Sequence, residues 1–201
     1  MDIFRILFIC LLVLMIGIRG YYQSLALAKT VAPSGGDKLT FKEGWLNLTL
    51  RSVLGLAFLV SLIAYVGYPQ AMAWSALPLP AWVRWIGFGV GLLSLILLFW
   101  VHHSLGENFS STLHVREKQT LVTYGPYRWV RHPMYTTLYL LVIAFFLLSA
   151  NWFIGLTGFG VLTGVVAFRL KHEEAVMIEK FGDGYRNYMS QTGRFLPSLS
   201  L

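Results

Sequence analysis

The residues of this chain that could do chemistry lie in two polar segments of its second half, 106–135 and 169–197. The second segment contains Glu173 and Glu174, the only adjacent acids in the sequence. Two carboxylates among basic residues could hold a cationic ligand, because opposite charges a few ångströms apart attract each other. Arg169 precedes Glu173 by four residues, a spacing that also suits an ordinary ion pair along one helix face. The sequence leaves both interpretations open.

The first polar segment combines a turn with the start of a helix. Residues 120–123 favour an extended backbone, and the Tyr-Gly-Pro-Tyr sequence at 124–127 is typical of a turn. Pro133 follows His132 and suits the first position of a helix, where its missing N–H would be unpaired anyway. The free amides of this helix start could bind a carboxylate. His132 could equally be a capping or packing residue.

The sequence argues against a metal centre and against a dinucleotide-binding loop. Cys10 is the single cysteine, which excludes a cysteine-based zinc site. His172 has no second ligand at a suitable spacing, so we expect no bound metal. The glycine-rich runs 87–91 and 158–164 have no strand before them, and we interpret them as sites of close helix packing.

Membrane-spanning helices must position these polar segments. Of the 201 residues, 56% are hydrophobic and 12% are charged, whereas a soluble domain has about 25% charged residues. Long charge-free apolar stretches are typical of membrane spans. We therefore expect an all-α integral membrane protein, which excludes a soluble enzyme and a disordered chain. The charge-free stretches are 6–18, 52–83, 85–106 and 132–168.

These stretches predict about five transmembrane helices, at 6–18, 52–68, 82–101, 133–148 and 152–169. The first is short, and residues 26–28 also resemble the cleavage site of a signal peptide. The last two share one apolar run that is too long for a single span and too short for two full ones. Since Ser149 and Asn151 favour a turn, we expect a compressed C-terminal helical hairpin. Residues 69–80 should form a short interfacial connection with tryptophan anchors.

The positions of lysine and arginine predict the orientation. The basic residues gather in 19–51, 107–131 and 169–194, whereas 69–81 and 149–151 contain none. Cytoplasmic loops carry the excess of lysine and arginine, so the two polar segments should face the cytoplasm. The net charge of +7 then suits contact with anionic membrane lipids, and we expect no nucleic-acid partner.

We expect one membrane domain over residues 1–201. Residues 1–101 would supply the first three spans, and residues 102–201 would form the functional half with the last two. Every polar cluster lies after about residue 100, so we expect the cofactor contacts to come from there.

The motifs of this second half resemble those of the isoprenylcysteine carboxyl methyltransferase family, in its short prokaryotic form. The family is related to phospholipid methyltransferases and, more distantly, to membrane thiol methyltransferases. The matching residues are Thr120, Leu121, Val122, Gly125, Tyr127, Arg131, His132, Pro133, Tyr135, Arg169, Glu173, Glu174, Phe181, Gly182, Tyr185, Tyr188, Arg194 and Pro197.

The resemblance implies that the chain binds S-adenosyl-L-methionine without a Rossmann fold. It implies that Arg169 lies near the acceptor and Glu173 near the cofactor, and these two are the candidate catalytic residues. The implied cofactor contacts are His114, Gln119, Thr120, Leu121, Val122, Tyr127, His132, Pro133, Met134, Tyr135 and Glu173. The acidic run at 173–174 is shorter than in the family.

The leading hypothesis is a membrane methyltransferase that acts on an isoprenylcysteine-like carboxylate or another lipophilic acceptor reached from the bilayer. A phospholipid amine N-methyltransferase and a membrane thiol S-methyltransferase are alternatives within the same chemistry. A non-enzymatic assembly factor would not need the polar motifs. A transporter would carry ionisable residues in the middle of its spans, and the predicted spans have none there.

Overall fold

The structure is a computed structural model, and it describes residues 2–28, 45–106 and 120–198. Within these ranges the chain is almost entirely helical and contains no β-strand. Short 3₁₀ helices occur at Pro69–Ser75 and Gly125–Arg128. The α-helices are α1 (Ile3–Ala28), α2 (Trp45–Gly67), α3 (Ala81–Leu105), α4 (Pro133–Ser149), α5 (Trp152–Phe181) and α6 (Asp183–Gln191).

The predicted all-α membrane fold is confirmed. Among the described residues, three segments are long and apolar enough to cross a membrane, namely Ile3–Leu25, Ala81–Leu105 and Trp152–Phe181. Two shorter apolar helices, Ser52–Gly67 and Pro133–Ser149, accompany them. Five apolar helices thus occur where five spans were predicted.

Several helices are longer than the apolar runs that predicted them. The spans predicted at 82–101 and 152–169 lie inside longer helices, because α3 continues to Leu105 and α5 to Phe181. Polar residues mark where an apolar run ends, but they do not interrupt the hydrogen bonds of a helix. The two helices end instead at Gly106 and Gly182, which have φ angles of +48° and +54°, a conformation that favours glycine.

The first helix is part of the hydrophobic core. Phe8 of α1 is fully buried, and its ring lies 4.8 Å from the rings of both Tyr65 and Phe145. α1 packs on α3 and α4, whereas α2 packs on α5. These contacts are those of a retained span, and they disfavour the alternative of a signal peptide.

Small residues let the helices approach closely, as the glycine-rich runs predicted. A Cβ atom on Gly87 would lie 2.7 Å from the Cβ of Leu147, and one on Gly158 would lie 2.9 Å from the Phe58 ring. Gly87 therefore brings α3 against α4, and Gly158 brings α5 against α2. Gly89 and Gly164 meet no neighbour within 4 Å, so only part of each run serves this purpose.

The predicted hairpin turn between α4 and α5 is confirmed. Ala150 adopts a left-handed conformation with φ +48°, and Asn151 caps α5 by accepting hydrogen bonds from the amides of Phe153 and Ile154 at 3.1 Å. The Asn151 amide group also donates to the Met72 carbonyl at 3.1 Å and to the Ser75 hydroxyl at 2.7 Å. One buried side chain thus fixes the hairpin tip to the connection after α2.

Asn151→Ala should destabilise the protein by about 2 kcal/mol, because the variant loses a helix cap and two further buried hydrogen bonds. Thermal unfolding in detergent would measure this loss. Asn151→Ser is the matched control, since serine keeps a capping oxygen and should recover part of the stability. Equal unfolding temperatures for Asn151→Ala and the wild type would contradict the proposed role.

Polar contacts also hold the amino-terminal end of α1. Asp2 pairs with Arg84 of α3 at 2.9 Å, and Arg84 donates to the Leu148 carbonyl at 2.8 Å and 3.0 Å. Arg5 donates to the carbonyl of Val66 at the end of α2. These contacts fix the position of α1, whose opposite end reaches the functional site.

Candidate functional site

A cavity of about 660 Å³ lies between α1, α2, α4 and α5, and the end of α3 and the short helix α6 also line it. One part of its wall is polar, with Arg19, Gln23, His102, Thr120, Tyr127, Arg131, His132, Tyr135, Arg169, Glu173, Tyr185 and Tyr188. The other part is apolar and includes Met15, Phe58, Leu62, Leu138, Leu141, Val142, Phe145, Gly158, Val161, Leu162 and Val165. The cavity therefore suits a polar ligand and an apolar chain side by side.

The turn after residue 123 holds one wall of the cavity. Gly125 has a φ angle of +62°, and a Cβ there would lie 2.4 Å from the Ser104 hydroxyl, so this position requires glycine. The Tyr124 hydroxyl donates to the Ser104 carbonyl at 2.9 Å. The Tyr188 hydroxyl donates to the Tyr127 carbonyl at 2.6 Å. These bonds attach the turn to both α3 and α6.

The start of α4 differs in one respect from the sequence-based expectation. His132 precedes the helix, and its carbonyl accepts hydrogen bonds from the amides of Tyr135 at 3.1 Å and Thr136 at 3.3 Å. The Tyr135 amide is therefore engaged within the helix start and not available to a ligand carboxylate. The anion site expected from free amides is reduced to the amide of Met134, a residue that lines the cavity.

Glu173 faces the cavity and is held by three side chains. The Tyr135 hydroxyl donates to its Oε1 at 2.8 Å, and Arg169 Nε donates to the same oxygen at 3.2 Å. Nδ1 of His132 lies 3.9 Å from Oε2. The ion pair between Arg169 and Glu173 is therefore present, and it coexists with a carboxylate that lines the cavity. The ion pair and a role of Glu173 in binding a cationic ligand are thus compatible.

Glu174 has a different environment from its neighbour. Its side chain is buried, with 7% exposure, and it lies 3.4 Å from Arg131 Nε, 3.4 Å from His132 Nε2 and 3.0 Å from Arg194 Nη2. Basic groups thus surround this carboxylate, and it does not line the cavity. Of the two adjacent acids, the structure thus places only Glu173 at the cavity.

Arg131, which contacts Glu174, also binds the C-terminal segment of the chain. Its side chain donates to the Met189 carbonyl at 2.8 Å and to the Thr192 carbonyl. Its backbone amide donates to Gly193 at 2.8 Å. Arg131 and Glu174 therefore attach the segment after α6 to the start of α4. The sequence analysis missed this pairing, since the partners are 43 residues apart and no local spacing indicates it.

Arg194→Gln should lower stability by no more than about 1 kcal/mol, because a half-exposed arginine adds little to an ion pair. Its side chain is 52% exposed, and Arg131 and His132 still surround Glu174 in its absence. Chemical denaturation of the detergent-solubilised protein would measure the change. A loss of several kcal/mol would show that Arg194 has a larger structural role than these contacts indicate.

Most of the predicted site residues line the same cavity. They are Thr120, Leu121, Val122, Tyr127, His132, Met134, Tyr135, Arg169 and Glu173. Pro133 does not; it is buried at the first position of α4 and lines a separate apolar pocket of about 200 Å³. Successive residues of a helix point about 100° apart, which explains why Pro133 and Met134 face different pockets. His114 and Gln119 lie outside the described residues.

Sequence reasoning missed the contribution of the first half of the chain. Met15, Arg19 and Gln23 of α1 line the cavity, and so do Phe58 and Leu62 of α2. The three α1 residues are four apart, so they form one stripe along the helix. This spacing was readable in the sequence, but nothing indicated which helix face would meet the cavity.

The buried tyrosines of the site are neutral at physiological pH. Burial raises the pKa of Tyr185 to about 12, and burial likewise raises the pKa values of Tyr127 and Tyr188 above the ordinary value for a phenol. Their hydroxyls therefore act as uncharged hydrogen-bond groups.

Comparisons with known proteins agree with this geometry. Residues 85–179 match the model of the isoprenylcysteine carboxyl methyltransferase (ICMT) family. A protein-S-isoprenylcysteine O-methyltransferase of Dictyostelium discoideum is 25% identical over 168 residues, which cover 81% of this chain and 68% of the relative. The structure of the eukaryotic intramembrane Ras methyltransferase ICMT, without a monobody, matches with a TM-score of 0.53. That match has 23% sequence identity and covers 90% of this chain and 67% of the other.

Proposed function

We propose that this chain is a methyltransferase of the isoprenylcysteine carboxyl methyltransferase family, whose model matches residues 85–179, and that it methylates the carboxylate of an isoprenylcysteine-like or other lipophilic acceptor. The proposed methyl donor is S-adenosylmethionine. The observation that supports this most is the single cavity, whose polar wall contains Glu173 and Arg169 and whose apolar wall lies between the membrane helices.

The polar wall fits the proposed donor in chemistry. The volume of the whole cavity, about 660 Å³, lies within the usual range for small-molecule sites. The Glu173 carboxylate can accept hydrogen bonds from an amine or attract a sulfonium charge. Tyr127 and Tyr135 offer aromatic surfaces beside it, which also attract cations. When bound, S-adenosylmethionine supplies a methyl group on a sulfonium, which leaves as a neutral thioether.

The apolar wall fits the hydrocarbon part of an acceptor. Phe58, Leu62, Val142 and Leu162 belong to three different helices and line one continuous surface. Burial of apolar surface stabilises such a chain by roughly 25 cal/mol per Å². An acceptor that enters from the bilayer would meet Arg169 where the apolar and polar walls join.

Arg169 is the proposed ligand of the acceptor carboxylate. Its Nε donates to Glu173, and its two terminal nitrogens have no hydrogen bond to a residue that the structure describes. A guanidinium can hold a carboxylate by charge-assisted hydrogen bonds. One carboxylate oxygen would be held in this way while the other attacks the methyl carbon.

The reaction needs alignment and exclusion of water more than proton transfer. A carboxylate oxygen forms the new bond to the methyl carbon, the carbon–sulfur bond breaks, and its electron pair stays on sulfur. No proton moves, so no general base is required. The protein must hold the reacting atoms in line at near-attack distance. An amine acceptor would instead have to lose a proton, and Glu173 is already engaged by Arg169 and Tyr135.

We place the donor end of the cavity on the cytoplasmic side of the membrane. α5 carries Arg169 and Glu173 at the end that leads to α6, and Arg19 and Arg131 line the same cavity. The distribution of lysine and arginine supports this orientation. A water-soluble donor would then enter from the cytoplasm, and the lipophilic acceptor would enter from the bilayer.

Transfer of a labelled methyl group with a panel of acceptors tests this proposal. Purified protein in detergent would receive the labelled donor with S-farnesylcysteine, phosphatidylethanolamine or a small thiol. We expect transfer to S-farnesylcysteine. Transfer to phosphatidylethanolamine or to the thiol alone would assign one of the alternative methyltransferase activities, and no transfer to any lipophilic acceptor would contradict the proposal.

A further inference from the structure

A further arginine lines the cavity from the first helix. Arg19 and Arg169 line the same cavity, so two positive charges face one space. The Nη1 atom of Arg19 is buried and has no hydrogen-bond partner among the residues that the structure describes. A buried guanidinium nitrogen without a partner costs free energy, and so do two positive charges that face one cavity. A negatively charged ligand between them would remove both costs.

The position of Arg19 is fixed by the rest of α1. The opposite end of the helix is attached by Asp2 and Arg84, and its middle is buried through Phe8 and Leu11. The packing of α1 therefore holds the backbone of Arg19 beside the cavity.

The neighbours of Arg19 indicate what kind of ligand would fit. Met15 lies one turn before Arg19 and Gln23 one turn after it, and all three line the cavity. The stripe thus changes from apolar to cationic to neutral polar toward the inner end of α1. An amphipathic anion matches this order, with its hydrocarbon beside Met15, its negative group beside Arg19 and a neutral polar group beside Gln23.

We propose that Arg19 is a second acceptor-binding residue, which together with Arg169 holds the carboxylate of the lipophilic acceptor. This inference rests on the proposed function and adds the first helix to the residues that determine specificity. Two guanidiniums near the acceptor group favour an anion and disfavour a protonated amine. Any lipophilic molecule with one anionic group would match this site. We assign the anionic group as a carboxylate, and the alternative is the phosphate of a phospholipid.

The reaction itself would then assist release of the product. Methylation converts the carboxylate into an uncharged ester, so the product no longer balances the positive charges of Arg19 and Arg169. The ester should bind more weakly than the acid, and Arg19 should contribute little to its binding. A residue with a merely structural role would affect acid and ester alike.

Binding measurements with three ligands on one hydrocarbon chain test this inference. The ligands are N-acetyl-S-farnesylcysteine, its carboxamide and its methyl ester, and calorimetry would measure each with the wild type and with Arg19→Gln. We expect Arg19→Gln to lower the affinity for the acid by about ten- to a hundredfold. The affinities for the amide and the ester should change by less than about twofold. Arg19→Lys should be intermediate, because it keeps the charge without the planar fork.

A matched control is Arg128→Gln, which removes an exposed arginine of the second 3₁₀ helix that does not line the cavity. It should leave the binding of all three ligands unchanged. The inference is overturned if Arg19→Gln lowers the affinities for all three ligands equally, or if it leaves the affinity for the acid unchanged. If Arg19→Gln does not fold, Arg19→Lys provides the same comparison of acid against ester.

Two outcomes separate this inference from the proposed function. Binding of the acid that depends on Arg19, without any methyl transfer, would support the anion site and reject the methyl-transfer proposal. Methyl transfer that is insensitive to Arg19→Gln would reject the anion site alone. Farnesyl phosphate serves as the phosphate probe, and tighter binding of it than of the acid would overturn the assignment of a carboxylate.

Discussion

Glu173→Gln should lower the affinity for S-adenosylmethionine by roughly ten- to a hundredfold, as expected for the loss of a charge-assisted interaction. Glu173 faces the cavity, and its side chain is 22% exposed. Its charge is therefore available to a cationic ligand. Glutamine keeps the size of the side chain and an oxygen that can accept from Tyr135, so the fold should be retained. Calorimetric titration with S-adenosylmethionine measures the effect.

The matched control for this variant is Glu179→Gln. Glu179 lies on the same helix, α5, but it is exposed and does not line the cavity. This control should bind S-adenosylmethionine like the wild type. If Glu173→Gln also binds it normally, the carboxylate serves only in the ion pair with Arg169, and the assignment of Glu173 to the donor site is wrong.

Arg169→Ala should reduce turnover of a carboxylate acceptor by roughly 30- to 1000-fold, which corresponds to about 2–4 kcal/mol of transition-state binding. The affinity for the donor should be nearly unchanged, because Tyr135 and His132 still hold Glu173 when Arg169 is absent. Arg169→Lys should restore little activity, since a compact ammonium does not reproduce the planar guanidinium that contacts Glu173 and the acceptor carboxylate at the same time. Steady-state kinetics and calorimetry on the same preparations measure both quantities.

The double variant distinguishes acceptor binding from a simple ion pair. If Arg169 only pairs with Glu173, the two single variants should have the same phenotype, and the double variant should be no worse than either. If each residue contacts its own ligand, the effects on donor affinity and on turnover should be separate and should accumulate. Unchanged turnover of Arg169→Ala on every acceptor tested would reject its role as the carboxylate ligand.

The sequence predicted the number and order of the apolar helices well, because charge-free stretches report directly on the hydrocarbon core. It predicted their ends less well. Arg169 and His102 mark the limits of apolar runs, yet both lie inside continuous helices. Hydropathy locates the membrane boundary, whereas hydrogen bonding and positions such as Gly106 and Gly182 determine where a helix stops.

The candidate site was predictable where its residues are local in sequence. The turn at Gly125, the helix start at Pro133 and the pair of Arg169 with Glu173 all follow from short-range patterns. The different roles of the adjacent acids were not predictable, because Arg131 and Arg194 reach Glu174 only through tertiary packing. The same applies to Arg19, whose place in the cavity depends on how α1 packs against α3 and α4.

The central claim is that this protein makes a methyl ester from a lipophilic carboxylate, and one measurement tests it directly. Purified protein would be incubated with labelled S-adenosylmethionine and S-farnesylcysteine, and the labelled lipid product would then be treated with alkali. Our account predicts a labelled product whose label is released by alkali as methanol, because an ester is cleaved under these conditions. A labelled product that resists alkali, as an N-methyl or S-methyl group would, or no labelled product at all, would contradict it.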